Sequence, residues 1–182
     1  MKVLTICGSL RAGSYNRKLL KIAASVAENL GAQVQNADLK VLNLPIYDQD
    51  IEDVGMPENV MEFKSMVEQS DIILFVSPEY NHSVSGALKN AIDWLSRGKK
   101  SLDQKTAAIM GASDGAFGTV RGQAHLREIL GALSVRLIPS PELFVRFADK
   151  AFDEQGKFID PKTQEVLERL MKKTFELYDK LK

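Results

Sequence analysis

The chain has 182 residues, 45% of them hydrophobic and 26% charged, and its 24 basic and 24 acidic side chains leave no net charge. That length suits one domain over residues 1–182 with a sizeable core, and the charge balance argues against nucleic acid or an anionic membrane as partner. One cysteine, Cys7, and two histidines, His82 and His125, leave no disulfide framework and no zinc set, so no metal is expected. The run Met1–Cys7 is too short for a signal peptide and Gly8-Ser9 breaks it. No stretch nears the ~20 apolar residues of a membrane span, so a cytoplasmic protein is expected.

Lys2–Cys7 is apolar and β-branched enough for a first strand. The polar segment Ser9–Ser14 leads into a helix reaching about Asn29, with Leu19, Ile22, Ala23, Val26 and Leu30 on one face and Gly31 as its stop. Gln33–Leu39 reads as a second, less apolar strand. Asn43–Met56 reads as a long loop, because Pro45, Asp48, Asp50 and Gly55 are turn formers. Pro57 opens a second helix with Val60, Phe63 and Val67 inward.

Ile72–Val76 is a continuous apolar run, the mark of a strand buried on both faces. It stops at Ser77, which Pro78 holds extended, and the polar turn Pro78–His82 begins abruptly. A helix follows from an N-cap at Ser83 or Ser85, with Leu88, Ala91, Ile92 and Leu95 as its stripe. Lys105–Ala112 is a fourth strand, and Gly111–Gly122 is a loop with four glycines. Arg121–Leu133 is a helix with Leu126, Ile129, Leu130 and Leu133 inward. Val135–Ile138 is a fifth strand, closed by Pro139 and Pro141. Phe152–Phe158 turns at Gly156, as a short hairpin or an irregular excursion. Pro161 opens the last helix, with Leu167, Leu170, Met171, Thr174 and Leu181 as its stripe.

Five strands alternating with five helices predict an α/β fold, a parallel sheet covered on both faces. Right-handed crossovers leave few topologies, and the order 2-1-3-4-5 is expected, with the switch point between strands one and three. The loops after strands one, three and four then open on one sheet edge, where such sheets bind ligands.

The first loop, Gly8–Asn16, offers Ser9 and Ser14 hydroxyls, the Arg11 guanidinium, the Asn16 amide and the free N–H groups of a helix start. That set suits a phosphate. A Walker A loop needs Lys-Ser/Thr after its second glycine, and Gly13 is followed by Ser14-Tyr15. A dinucleotide fingerprint fails at Leu10. A cysteine-phosphatase loop fails too, since Arg11 is out of register with Cys7. What remains is a monophosphate held without a lysine or nucleophile, or else a capped helix beside a surface arginine.

Two motifs, G-S-L-R-x-x-S-x-N at Gly8–Asn16 and P-E-Y-N-x-S-x-x-G-x-L-K-N-A-I-D-W at Pro78–Trp94, make the chain resemble the NADPH-dependent FMN reductase family within the flavodoxin-like fold. The likeness covers Met1 to Ile138. It implies an FMN phosphate held by Ser9, Arg11, Ser14, Tyr15 and Asn16. It further implies an isoalloxazine ring running along Pro78, Glu79, Tyr80 and Asn81, with Ala112–Gly115 closing over it through Ser113 and Gly115. The family's usual proline is Ser85 here, which implies a looser helix start, and its usual glycine pair is Gly118-Thr119.

The reading is therefore an oxidoreductase in which FMN carries the chemistry and no side chain is a nucleophile. NAD(P)H is the co-substrate, and quinones, free flavin, chromate or azo compounds are the acceptors. One shared flavin face predicts ping-pong kinetics. His82 beside the turn is either a proton donor to the acceptor or a solvent-exposed loop residue. Tyr80 and Trp94 are candidates for a subunit contact, in line with the homodimers and homotetramers the resemblance implies. Rival readings are an electron carrier without small-molecule turnover, against which the zero net charge argues, and a pocket that binds without turnover.

Overall fold

The computed structural model describes residues 1–182. The first half of the chain folds as β1 (Lys2–Cys7), α1 (Tyr15–Asn29), β2 (Gln33–Ala37), α2 (Leu39–Leu42), α3 (Gln49–Val54) and α4 (Glu58–Gln69). The second half folds as β3 (Ile72–Val76), β4 (Glu79–Tyr80), β5 (Ser83–Val84), α5 (Gly86–Leu95), β6 (Thr106–Ala112), α6 (Val120–Ala132), β7 (Arg136–Leu137), β8 (Leu143–Val145) and α7 (Pro161–Leu181). The main sheet is parallel, in the order β2-β1-β3-β6-β7, with β8 also paired to β6. This is the expected 2-1-3-4-5 arrangement of a flavodoxin-like fold.

Its fifth position is shared by two short strands. β7 pairs with Thr106 and Ala107, and β8 resumes beside Met110–Ala112. Pro139 and Pro141 lie in the gap, where residues without an N–H cannot continue a ladder.

The strand in the middle explains its own composition. Every side chain of β3 is buried, alternately on the two faces. Ile72, Leu74 and Val76 meet Leu19, Ala23, Leu167 and Met171 of α1 and α7. Ile73 and Phe75 meet Phe63, Leu88, Ile92 and Leu126 of α4, α5 and α6. A period-two pattern has no polar side to show here.

Several expectations are corrected. The second strand ends at Ala37, because Asp38 caps α2 by accepting from Lys40 N at 2.9 Å. The long loop contains α3, whose N-cap is Asp48 and whose C-cap is Gly55. Leu30 and Leu181 are each 46% exposed and lie off their stripes. The turn Pro78–His82 is part of an antiparallel hairpin, β4–β5, that runs to Val84 and is reversed by Asn81 (φ 50) and His82 (φ 62). Trp94 is no subunit anchor: it is fully buried, and its indole N–H donates to Pro45 O at 2.7 Å. Phe152 and Phe158 form an antiparallel bridge, so that segment is a hairpin. No helix is long and apolar enough to cross a membrane.

Candidate functional site

Three loops leave the carboxyl ends of β1, β3 and β6 side by side, at the point where the crossovers diverge. The first is shaped by Ser14, the N-cap of α1, whose Oγ accepts from Asn16 N at 3.1 Å. None of the backbone N–H groups from Leu10 to Tyr15 donates to another protein atom. Ser9 is buried, and Arg11 is exposed and pairs with no carboxylate; its guanidinium lies 5.4 Å from the Tyr15 ring centroid. The loop thus presents a row of uncommitted donors beside a free positive charge.

Arg17 braces this loop from behind. It makes two hydrogen bonds to Asp38, at 2.9 and 3.0 Å, and its Nε donates to Ser9 O at 3.4 Å. The bond from Arg17 holds the Asp38 carboxyl below its ordinary range. Cys7 lies just beneath, where burial pushes its thiol up, so it supplies no thiolate nucleophile at neutral pH.

The second loop is tied to the first by Ser85. Its Oγ donates to Gly8 O at 2.7 Å and accepts from Leu88 N at 3.3 Å, capping α5. A Cβ on Gly8 would stand 2.8 Å from that oxygen, so only glycine permits the approach. The helix start is therefore pinned by the serine. Glu79, its side chain 9% exposed, turns away to accept from Gly122 N at 2.8 Å, with Arg121 at 3.8 Å. Its backbone alone is left to face a ligand.

The third loop is clamped at both ends. Asn16 donates to Ala112 O and accepts from Ala112 N, each at 2.9 Å. Ser113 N donates to Val145 O, and Ala148 N donates to Ser113 O, each at 3.0 Å. At the far end Gln123 Nε2 donates to Thr119 Oγ1 and to Leu143 O, both at 2.9 Å. Behind the loop, a Cβ on Gly111 would collide with Ser77 O and Thr119 Oγ1.

Between the loops lies a cleft of about 210 Å³, lined by Ser9, Arg11, Ser14, Tyr15, Asn16, Pro78, Glu79, Tyr80, Ala112, Ser113 and Asp114. Of the residues expected from sequence, Asn81 and Gly115 stand outside this wall. His82 is exposed at the hairpin tip, also outside it. A larger groove of about 870 Å³ runs between α1 and α7, lined by mixed charges such as Lys18, Lys21, Glu165 and Glu168. It contains neither the uncommitted donors of the first loop nor any residue of the second or third. Sequence reasoning missed Arg17, whose partner Asp38 is remote in the chain, and it missed the tie from Ser85 to Gly8, although Ser85 was a candidate cap.

The family model described as NADPH-dependent FMN reductase matches residues 1–150. An NAD(P)H-dependent FMN reductase of Pseudomonas aeruginosa is 42% identical over 93% of this chain and 90% of its own. A quinone reductase of Escherichia coli is 38% identical over 92% of this chain and 89% of its own. Among solved structures, a flavoenzyme NAD(P)H:(acceptor) oxidoreductase of Paracoccus denitrificans superposes with a TM-score of 0.88 at 32% identity, covering 98% of this chain and 97% of that one. With these likenesses spanning nearly its whole length, the chain belongs to the NADPH-dependent FMN reductase family.

Proposed function

We propose that the cleft holds FMN, with its phosphate on the Ser9–Tyr15 loop and its ring between Pro78–Tyr80 and Ser113, and that electrons pass through it to quinones and other small acceptors. The family makes the protein an FMN- and NAD(P)H-dependent oxidoreductase. FMN, when bound, accepts hydride from the nicotinamide and passes the electrons on.

One observation carries the placement: a row of unused backbone donors, from Leu10 to Tyr15, beside an unpaired Arg11. A phosphate monoester satisfies both at once. Ser14 still has a proton to donate after capping α1. Asn16 commits its amide oxygen and one amide N–H to Ala112, which leaves its second amide N–H for the phosphate its motif implied. It holds the first loop against the third. Glu79 likewise offers the ring its backbone and not its carboxylate.

The test is to incubate the purified protein with FMN and FAD, release the ligand by heat and identify it by chromatography. FMN is expected, because the first loop provides one phosphate cradle and no pyrophosphate turn. Recovery of FAD, or of no flavin, contradicts the assignment.

All three loops border the same cleft, so donor and acceptor use one opening in turn. Initial rates against NADPH at several quinone concentrations then give parallel lines, and converging lines would show both substrates bound together. Chromate and azo dyes belong in the same assay as further acceptors. Self-association is also part of this reading. Apolar side chains between Val41 and Met61 face water, with Val41 80%, Ile46 83% and Val54 93% exposed. Sedimentation at the 20.2 kDa of one chain would contradict it.

A further inference from the structure

The rim of the cleft, beyond the third loop, carries a guanidinium with little use inside the fold. Arg121, in the first turn of α6, lies over the ring of Phe117 with its guanidinium carbon 4.6 Å from the centroid. Its side chain is 41% exposed, and its carboxylate neighbour, Glu79 Oε1, is 3.8 Å away. That carboxylate is already engaged, since Glu79 Oε2 accepts from Gly122 N at 2.8 Å.

Large rings are exposed on the segments that meet here: Phe117 under Arg121 is 62% exposed, Tyr80, next to Glu79 in the chain, 51%, and Phe147, bonded to the third loop, 54%. Phe147 also holds a left-handed backbone, φ 46, which bulky side chains rarely adopt. Hydrogen bonds from Phe147 N to Gly115 O (3.4 Å) and from Ala148 N to Ser113 O (3.0 Å) keep this segment beside the third loop. Large rings left in water by constrained backbone gain nothing for the fold and mark a surface shaped for something else.

We propose that Arg121, presented on the face of Phe117, binds the phosphate groups of the dinucleotide hydride donor. This rests on the reading of the cleft given above. The donor's nicotinamide must reach a ring held between the hairpin and the third loop, so its phosphates project outward over their shared rim. Arg11, on the first loop, serves the cofactor's own phosphate, and a second anion needs a second cation. A planar guanidinium forks onto phosphate oxygens, and stacking on Phe117 fixes the plane of that fork. The neighbouring exposed rings offer the donor's adenine a face to stack on.

The experiment compares two hydride donors by anaerobic stopped flow on the FMN-loaded protein. NADPH carries phosphates; 1-benzyl-1,4-dihydronicotinamide carries the same reacting ring and none. Arg121→Gln should lower the second-order rate of flavin reduction by NADPH by about tenfold or more, the scale of a lost charge-assisted hydrogen bond. The loss should appear in the apparent Kd for NADPH, and the loss with the benzyl donor should be smaller by at least that factor. Arg121→Lys, which keeps the charge without the fork, should recover part of the rate. FMN affinity, followed by flavin fluorescence, should stay within about twofold of the parent.

Equal losses with both donors would overturn the proposal by making Arg121 a support for Glu79 or the ring. So would an unchanged NADPH rate, or a shift in sedimenting mass of the Gln variant, which would make the rim a contact between copies. A parent protein that takes up FMN but is reduced by neither donor contradicts the function itself, and the rim assignment with it.

Discussion

Arg11 and Asn16 stand five residues apart in one motif, and the structure gives them separate work. Arg11 is exposed and unpaired, free to meet a ligand. Arg11→Ala should weaken FMN binding by about 1.5–3 kcal/mol and leave the melting temperature of the apo-protein unchanged; titrating apo-protein with FMN measures the first, and a melt the second. Asn16→Ala should do the reverse work on the fold. It strips partners from the buried N–H and carbonyl of Ala112, which should cost about 1–3 kcal/mol in urea unfolding. The motif's letters do not show the bracing role of Asn16, because its partner Ala112 lies 96 positions away.

Arg17 adds a pH dependence. Asp38 is held below its ordinary 3.8 by the bond from Arg17, so the folded state keeps a carboxylate that the unfolded chain protonates first. The pair's contribution is full above that pH and is lost as pH falls through the folded value. The stability gap between the parent and Arg17→Met should therefore narrow below about pH 3.8, as urea unfolding at stepped pH would show. A gap independent of pH would mean that Arg17 acts through packing alone.

At the scale of elements, what was legible followed hydrophobic period. β3 shows as an unbroken apolar run, and α5 shows as the stripe Leu88, Ala91, Ile92, Leu95, all buried. The missed elements are too short to have a period. α3 has six residues, and its caps, Asp48 and Gly55, are the turn formers that made the segment read as loop. The β4–β5 hairpin has two residues a side and reverses through Asn81-His82, a left-handed pair without the glycine that signals such turns. Ser85 was visible as a cap, but its bond to Gly8 crosses 77 positions and leaves no local trace. Ser85→Ala loses that bond and the cap of α5 together, and should cost about 1–2 kcal/mol in unfolding experiments. A loss near zero would show that the helix start needs neither.

In the whole molecule, the sheet order was legible because alternating strands and helices leave few arrangements. The division of the fifth strand into β7 and β8 was not, since Leu143–Val145 is a strand only by virtue of lying beside Met110–Ala112. The cleft's location followed from topology, and eight of its lining positions were named from two motifs. Its rigidity was not foreseeable. Side chains from one segment hold the backbone of another at Gly8, Ala112 and Gly122, so protein atoms tie the three loops together. On the function proposed above, this cleft holds one flavin and admits donor and acceptor by one opening. The direct test is spectroscopic: load the protein with FMN, add NADPH without oxygen, then add a quinone, and follow the visible flavin absorption. The account predicts that the band bleaches with NADPH and returns with the quinone; a band that NADPH leaves unchanged, or that the quinone does not restore, would contradict it.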